Sequence, residues 1–281
     1  RPMTLSGKAK IAGVMGWPVA HSRSPRLHGY WLQQHGIDGA YVPLAVRPEN
    51  LPQALGALSV LGFAGCNLTI PHKEAALDLV DEITPLAARI GAINTVIVKA
   101  DGTLCGDNTD AYGFIENLRG TVSGFDPATG PAVVLGAGGA ARAVCAGLIE
   151  AGATEICLLN RTQERAEIVA RDLGAALRVE PWSGRGAALQ GAALLVNTTS
   201  LGMTGQAALD IDLAALPLAA VVNDLVYSPL TTALLGAAAA RGNIAVGGLG
   251  MLLHQARPGF AAWFGAEPDV TPALHDFVAG M

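Results

Sequence analysis

The sequence predicts an α/β protein with two domains, the second built on a doubly wound parallel sheet. Its 281 residues, with 51% hydrophobic and 15% charged side chains, fit two well-filled domains of ordinary size and are not typical of a disordered chain. Along the whole sequence, short apolar runs alternate with segments of helical spacing. This alternation is the pattern of βαβ units.

The first part of the chain predicts one α/β unit of about 110 residues. Its expected elements are strand 10–15, helix 25–36, strand 40–46, helix 51–61, strand 65–70, helix 72–80 and a hairpin that starts with strand 93–99. Ser24 is an expected N-cap, with Pro25 at the first helical position.

The second part predicts the parallel sheet. Its expected elements are strand 131–135, helix 139–151, strand 155–159, helix 163–173, strands 193–197 and 220–223, helix 230–240, strand 244–246 and a helical tail over 250–281. Strands of this kind are buried on both faces, so helices are expected on both sides of the sheet.

Composition and charge argue against several classes of protein. The net charge of −5, without a cluster of Lys and Arg, disfavours a nucleic-acid partner. No segment is typical of a membrane span, and the start of the sequence lacks the apolar run of a signal peptide. The six histidines lack metal-ligand spacing, so no metal is predicted. The four cysteines are far apart, form no CxxC pair and suit a reducing cytoplasm.

A glycine-rich turn joins the first strand of the second part to its helix. It consists of Gly136, Ala137, Gly138, Gly139, Ala140 and Ala141. In a dinucleotide-binding turn of this pattern, the first glycine permits the tight bend, the second lets a pyrophosphate approach the backbone, and the final alanine lets the helix pack closely. The sequence therefore predicts dinucleotide binding; the alternative is a purely structural turn.

The end of the next strand predicts which dinucleotide is bound. Asn160, Arg161 and Thr162 stand there, with Arg165 one turn later, where an NAD-dependent protein would carry an acidic residue. Two guanidinium groups can hold a 2′-phosphate through charge-assisted hydrogen bonds. NADP is therefore favoured, although the same residues could simply begin a solvated helix that Thr162 caps.

Several polar residues outside this region are candidates for a substrate site. Ser22 and Ser24, two positions apart on a segment expected to be extended, would face the same side and could hold a carboxylate. Lys73 follows a strand and opens a helix, and Asp110 ends a polar turn before the second part. Each also has a structural interpretation: Ser24 and Asp110 as N-caps, and Lys73 as a surface lysine.

Taken together, these residues and their neighbours resemble the shikimate dehydrogenase family. The matching segments occur in family order and cover nearly the whole chain. They are GWPVAHSRSP (16–25), NLTIPHK (67–73), GAINT (91–95), GDNTDAYG (106–113), GAGGAARA (136–143), NRTQERA (160–166), NTTSLGM (197–203), DLVYSPLTTALL (224–235) and GLGMLLHQA (248–256).

The resemblance implies a role for each matched residue. Catalysis would fall to Lys73 as the acid–base, paired with Asp110. Substrate would be held by Ser22, Ser24, Thr69, Asn94, Gln255 and Tyr227. NADP would be held by the glycine turn and by Asn160, Arg161, Thr162, Arg165, Thr199, Met203, Leu225, Gly248 and Met251, with Tyr227 also on the nicotinamide side.

The resemblance also implies domains and an activity. Residues 1–112 with 248–281 would form the substrate domain, and 113–247 a Rossmann-type NADP-binding domain, with the active-site cleft between them. The implied reaction is the reversible oxidation of shikimate to 3-dehydroshikimate, which in the cell runs mainly as the reduction within aromatic amino-acid (chorismate) biosynthesis. The implied protein is cytoplasmic, a monomer or homodimer, with no nucleic-acid or membrane partner.

Two other activities remain open from the sequence. One is the oxidation of quinate or another ring acid, but relatives that use quinate often change one of the two serines, so Ser22 with Ser24 favours shikimate. The other is non-catalytic NADP binding, which Lys73 and Asp110 argue against because a binding protein has no need of the pair.

Overall fold

The computed structural model describes residues 4–280; residues 1–3 and 281, at the ends of the predicted domain ranges, lie outside the described residues. Contacts between Cα atoms divide the chain into two compact units. The first unit contains residues 4–109 and 252–280, and the second contains residues 110–251.

The first unit is built on a mixed six-stranded sheet in the order β2-β1-β3-β5-β6-β4. Strand β1 pairs in parallel with β2 and β3, whereas β5 is antiparallel to both β3 and β6. Its elements up to residue 109 are β1 (Lys10–Gly16), α1 (Ser24–Gln34), β2 (Gly39–Ala45), α2 (Leu51–Val60), β3 (Phe63–Leu68), α3 (His72–Ala75), β4 (Glu82–Ile83), α4 (Pro85–Ile90), β5 (Thr95–Val98) and β6 (Leu104–Asp107).

The second unit is built on a six-stranded sheet that is parallel throughout, in the order β12-β11-β10-β7-β8-β9. This is the strand order of a doubly wound dinucleotide-binding fold, so the predicted fold class is confirmed. Its elements are α5 (Asp110–Thr121), β7 (Ala132–Leu135), α6 (Gly139–Glu150), β8 (Ile156–Asn160), α7 (Gln163–Leu173), β9 (Leu177–Pro181), β10 (Leu194–Asn197), β11 (Val221–Asp224), α8 (Ala233–Arg241) and β12 (Ile244–Val246).

The last helices return the chain to the first unit. They are α9 (Leu249–Phe264) and α10 (Pro272–Ala279). The Trp263 indole N–H donates to the Val96 carbonyl oxygen of β5 at 3.0 Å. On α1, the Arg26 guanidinium donates to the Phe277 carbonyl oxygen of α10 at 2.7 Å. The first sheet therefore acquires part of its cover from residues more than 150 positions away in the chain.

The apolar runs of the sequence form the two cores. Strands β7, β10 and β11 are buried at every residue, as expected for parallel strands covered by helices on both faces. The core of the first unit gathers Met15, Leu55, Cys66 and Ile93 with their neighbours. Between residues 4 and 280, no helix combines the length and hydropathy needed to cross a bilayer, and no group of three His, Cys, Asp or Glu side chains is arranged as metal ligands.

Some elements differ from the sequence prediction. The helix expected over 72–80 is wrong in length: α3 ends at Ala75 and continues as a 3₁₀ turn, Ala76–Asp78. The cause is local, because the Leu79 N–H donates to the Ala76 carbonyl oxygen three residues back and tightens the chain. Strands β4 and β9 and helix α4 were not predicted. β4 and α4 are only two and six residues long, and β9 is a five-residue edge strand with no buried residue, so it lacks the continuous apolar run of the other parallel strands.

Candidate active site

The predicted dinucleotide turn follows β7 in the second unit. Gly136 has φ +112°, a conformation that side chains rarely adopt, and a Cβ atom there would collide with the Thr198 hydroxyl group. The Gly136 N–H donates to the Leu159 carbonyl oxygen of β8 at 2.7 Å. The turn therefore requires glycine at this position, and it aims the chain into α6.

The N-terminus of α6 is open to an anion. Gly138 is its N-cap and supplies no side-chain hydrogen bond, and no acidic residue stands in the first turn. A Cβ atom on Gly138 would meet nothing within 4 Å, so there is room for a ligand to reach the backbone. Gly139 and Ala140 begin the helix, while the neighbouring Ala137 and Ala141 are buried. Free N–H groups at such a terminus bind phosphates.

The residues after β8 suit a phosphate on the adenosine side. The Asn160 side-chain amide donates to the Thr162 carbonyl oxygen at 2.8 Å and shapes the turn. Thr162 is the N-cap of α7, but its side chain makes no capping hydrogen bond, so the capping alternative for its hydroxyl group is wrong. Arg161 and Arg165 are both exposed. No carboxylate occupies the end of the strand, so these residues fit NADP better than NAD.

A buried carboxylate holds together the two loops that the family resemblance predicts at the nicotinamide side. Asp224, at the end of β11, accepts hydrogen bonds from the Asn197 side chain at 2.9 Å and the Thr232 hydroxyl at 2.6 Å. It also accepts from the Val226 backbone N–H at 3.0 Å. Burial raises the pKa of Asp224, and these hydrogen bonds oppose the rise by favouring the charged form.

Asn197, which is bonded to Asp224, also restrains the loop that follows β10. Its side-chain oxygen accepts hydrogen bonds from the Thr199 backbone N–H at 3.1 Å and from the Thr199 hydroxyl at 2.7 Å. The Leu201 N–H in turn donates to the Thr199 hydroxyl oxygen at 3.1 Å. The loops after β10 and β11 therefore share one hydrogen-bond network.

The remaining predicted cofactor residues lie on or beside these loops. Met203 is in the loop after β10, which is joined to the loop after β11 by the Thr204 N–H donating to the Ser228 carbonyl oxygen at 2.7 Å. Tyr227 precedes Ser228 and is half-buried. Gly248 packs so closely on Leu225 that a Cβ atom would collide with the Leu225 carbonyl group. Met251 is buried one turn into α9.

The first unit brings two of the predicted substrate residues together with the predicted catalytic lysine. Thr69 follows β3 directly, and the Leu68 N–H before it donates to the Asn94 carbonyl oxygen at 2.8 Å. The carbonyl oxygen of Lys73, in α3, accepts from the Ile93 N–H at 2.8 Å. Thr69 and Lys73 are half-buried and Asn94 is buried. Two strand ends and a short helix thus converge on one polar region.

Gln255 joins this region from the far end of the chain. The Asn94 side-chain amide donates to its Oε1 atom at 3.2 Å and to the Thr109 hydroxyl oxygen at 3.0 Å. The Thr109 backbone N–H donates back to Asn94 Oδ1 at 2.8 Å. Neutral amides and hydroxyls of this kind suit a substrate that carries hydroxyl groups.

The serine pair differs from the prediction in its backbone. Arg23, between the two serines, has φ −88° and ψ −5°, so the segment turns and is not extended. Ser24 is the first residue of α1 and Arg23 its N-cap, which makes the predicted Ser24 cap wrong. The Ser24 N–H donates instead to the Ser22 hydroxyl oxygen at 3.3 Å. The two serines remain adjacent at the start of a helix.

Asp110 is buried and is the first residue of α5. It belongs to the second unit, whereas Lys73 belongs to the first. Their pairing therefore stays a prediction, as does the cleft between the domains.

Reasoning from the sequence missed the residues behind the site. They are Tyr41, Asn67, Thr95, Thr109, Asn197, Asp224 and Thr232. Six of them stand in the quoted family segments, where an Asn, Asp or Thr beside apolar residues was the available signal. Tyr41 gave no signal other than its place in a strand.

Comparisons with known proteins agree with this geometry. Residues 14–96 match the family model described as the shikimate dehydrogenase substrate binding domain. Residues 124–202 match the model described as shikimate / quinate 5-dehydrogenase. The chain is 63% identical over 274 residues to the NADP(+) shikimate dehydrogenase of Paramagnetospirillum magneticum, covering 98% of this chain and 99% of that protein.

Solved structures of similar proteins share the fold. A crystal structure of shikimate 5-dehydrogenase from Thermus thermophilus, in complex with NADP(H) and shikimate, has a TM-score of 0.85 at 40% identity, covering 96% of this chain and 98% of that one. Quinate dehydrogenase from Corynebacterium glutamicum, in complex with NAD, has a TM-score of 0.90 at 30% identity, covering 97% of this chain and 99% of that one.

Proposed function

This chain belongs to the shikimate dehydrogenase family, and from that premise we propose that it catalyses the NADP-dependent, reversible oxidation of shikimate to 3-dehydroshikimate. The observation that carries the proposal is the 63% identity, over 98% of the chain, to an NADP(+) shikimate dehydrogenase. The glycine turn and exposed arginines of the second unit, and the neutral polar region around Asn94 in the first, supply groups that suit such a cofactor and substrate.

Each unit has its own part in the reaction that we propose. Residues 113–247 hold NADP, which supplies the hydride acceptor for the oxidation. The α6 N-terminus binds the pyrophosphate, and Arg161 with Arg165 binds the 2′-phosphate. Residues 1–112 with 248–281 hold the substrate, with Ser22 and Ser24 donating to its carboxylate. The loops after β10 and β11 line the nicotinamide side.

Lys73 moves the proton. When the ring hydroxyl is oxidised, its proton leaves for the neutral Lys73 amine; in the reverse direction, the ammonium group returns it to the ketone oxygen as charge develops there. Asp110, Asn94, Thr69 and Gln255 orient the ring hydroxyls.

An assay that follows the absorbance of the reduced nicotinamide tests the proposed substrate, the proposed cofactor and the role of Lys73 together. We expect reduction of NADP⁺ by shikimate, at least about tenfold slower reduction of NAD⁺, and a loss of at least about a hundredfold in Lys73→Ala. Lys8→Ala, which changes an exposed lysine, is the matched control. Turnover of quinate without shikimate would move the substrate to quinate, and NADP binding without any turnover would indicate a non-catalytic protein.

The cofactor assignment has its own test. Arg161→Ala with Arg165→Ala should raise the KM for NADP⁺ by about tenfold or more, since charge-assisted bonds to the 2′-phosphate are lost, and leave the KM for NAD⁺ unchanged. Equal effects on both cofactors would contradict the proposed clamp. For location we infer the cytoplasm, supported by four free cysteines; monomer or homodimer stays a prediction.

A further inference from the structure

The loops after β10 and β11 lie at the same edge of the second sheet as the glycine turn. In a sheet of this kind, a dinucleotide lies across the carboxyl ends of the strands, with its pyrophosphate at that turn. The turn follows β7, and Arg161, proposed for the adenosine side, follows β8. Strands β10 and β11 stand on the other side of β7, about 5 and 10 Å away. The nicotinamide half should therefore extend over the loops after β10 and β11.

Asp224 is the charged side chain of this part of the sheet edge. The loop 198–203 contains no charged residue, and between residues 213 and 240 the chain carries no charged residue other than Asp224. The Asp224 side chain ends β11 and is 0% exposed. Among residues 4–280, no lysine, arginine or histidine forms an ion pair with it. Buried charges are usually paired, so a carboxylate here without a cation calls for an explanation.

The groups around Asp224 are donors, as an ionised carboxylate requires. The Val226 backbone N–H can only donate, and it donates to Oδ1 at 3.0 Å. Asn197 also faces Oδ1 with its nitrogen, because its own oxygen accepts from the Thr199 N–H. The Thr232 hydroxyl donates to Oδ2 and begins α8 as its N-cap. The positive end of that helix counts for about half a charge, so it cancels only part of the negative field of the carboxylate.

We propose that Asp224 gives this protein a preference for the oxidised cofactor by acting on the charge of the nicotinamide ring. The ring is positively charged in NADP⁺ and neutral in NADPH. A buried carboxylate at this edge of the sheet attracts the oxidised ring and leaves the reduced ring almost unaffected. This inference rests on the proposed function, because it takes NADP as the cofactor and the two loops as the nicotinamide side.

The same charge favours one direction of the proposed reaction. When 3-dehydroshikimate is reduced, the hydride of NADPH goes to the carbonyl carbon, the proton of Lys73 goes to the carbonyl oxygen, and the nicotinamide ring becomes positively charged. Asp224 stabilises that charge as it develops. At an effective dielectric constant of about 20, two unit charges about 10 Å apart change an equilibrium by roughly tenfold, and the partial charge of α8 reduces this effect.

Asp224→Asn tests the proposal because it removes the charge and keeps the shape. The new amide oxygen can still accept from Asn197 and Val226, and the new amide nitrogen can donate to the Thr232 hydroxyl oxygen. Calorimetry on the substrate-free protein measures the dissociation constants of NADP⁺ and NADPH separately. Asp224→Asn should weaken the binding of NADP⁺ about fivefold more than that of NADPH. A purely structural role would change both constants by the same factor, because both forms occupy the same loops.

Two controls accompany this measurement. Asp212→Asn makes the same substitution at an exposed carboxylate of the second unit, which accepts from the Ala214 N–H at 2.9 Å. Water screens that charge, so the ratio of the two dissociation constants should stay as in the wild type. The second control is 2′,5′-ADP, which lacks the nicotinamide ring. Its binding should change less than about twofold in Asp224→Asn, because the ring charge on which Asp224 acts is missing.

Carboxyl ¹³C NMR of the wild-type protein with labelled aspartate keeps the inference refutable if Asp224→Asn fails to fold. Asp224 should be ionised at about pH 7 in the cofactor-free protein and in the NADP⁺ complex. A protonated Asp224 would carry no charge and would overturn the inference without any variant.

The outcomes for this inference and for the proposed function are distinct. Equal weakening of NADP⁺ and NADPH binding in Asp224→Asn, or no weakening of either, would overturn the inference and leave the proposed function intact. A wild-type protein that binds both forms of NADP and does not oxidise shikimate would contradict the proposed function, while the ratio of dissociation constants would still decide the role of Asp224. Binding of neither form would overturn both.

Discussion

The two units stabilise their polar interiors with different chemistry. Behind the predicted substrate residues, the first unit uses only neutral groups: the Tyr41 phenol, the Asn67 and Asn94 amides and the Thr95 hydroxyl. Behind the predicted nicotinamide loops, the second unit gathers its donors on one buried carboxylate, Asp224.

The difference determines where each network is vulnerable. Hydrogen bonds to a charged acceptor contribute about twice as much as neutral ones, so the second network depends on a single residue. In the network of the first unit, several neutral groups share the hydrogen bonds, and none of them titrates near neutral pH. The base that does titrate in that region, His28, is packed beside the network and stays outside it.

The largest effect is expected at the carboxylate. Asp224→Ala leaves the donors of Asn197, Thr232 and Val226 without this acceptor and should lower the free energy of unfolding by about 3 kcal/mol or more. Urea denaturation measures the loss. Hydrogen exchange should locate the loss: amide exchange should become faster in residues 198–203 and 225–232 and stay unchanged in β1 and β3. Asp224→Asn, which keeps one acceptor oxygen but removes the charge, should cost less than Asp224→Ala. An Asp224→Asn protein as stable as the wild type would refute a special role of the charge.

The next effect depends on pH and belongs to the first unit. Burial lowers the pKa of His28 from 6.5 to about 3. Below about pH 6.5, His28 therefore binds a proton in the unfolded chain but not in the folded one. The contribution of His28 to the free energy of unfolding is complete above that pH and decreases as the pH falls towards 3. Between about pH 7 and about pH 5, His28 should account for a loss of about 2 kcal/mol.

His28→Phe isolates this contribution, because it keeps a ring against Tyr41 and cannot titrate. The loss of stability between the two pH values, measured by urea denaturation, should be smaller in the variant by the amount assigned to His28. An unchanged pH dependence would show that His28 is not the group responsible.

A smaller effect is expected within the neutral network. Thr95→Val preserves shape and removes one buried hydroxyl, so the Asn67 amide and Asn94 Oδ1 each lose one of several partners. We expect a loss of about 1–2 kcal/mol by urea denaturation. Thr4→Val, at an exposed position, is the control and should be neutral. A loss as large as that of Asp224→Ala would contradict the idea that no single residue dominates the stability of this network.

The smallest effect on stability is expected at Thr199. Its hydroxyl joins the carboxylate network through Asn197, but the side chain is half-buried, so water can replace it. Thr199→Val should cost about 0.5 kcal/mol in urea denaturation while weakening NADP binding severalfold, because the loop after β10 loses its local restraint. A stability loss above that of Thr95→Val would reverse the ranking.

The parts of the molecule that sequence predicted best are those with local causes. Gly136 needs its backbone conformation, the run AVVL of β7 is buried on both faces, and Gln163–Leu173 is helical as expected. Each depends on a few neighbouring residues, so the dinucleotide-binding fold could be predicted from spacing alone. The resemblance to a family supplied most of the substrate residues.

What could not be predicted depends on distant partners. Tyr41 and Asn67 are separated by 26 residues, and Asn94 and Gln255 by 161, and no periodicity joins them. The Ser24 cap was wrong because the turn at Arg23 starts α1 one residue earlier. Strand β9 was missed because it is a short edge strand with no buried residue and so lacks the continuous apolar run of the other parallel strands.

The return of α9 and α10 to the first unit has a consequence for how the chain folds as it is made. Residues 110–251 emerge from the ribosome as one uninterrupted stretch that contains every strand of the second sheet. The first sheet emerges earlier, yet the hydrogen bonds between Val96 and Trp263 and between Asn94 and Gln255 can form only after α9 has been synthesised. Domains usually complete in the order of their synthesis. Here the unit that begins first is finished last, because the contacts that Trp263 and Gln255 make with it form only after α9 has been synthesised.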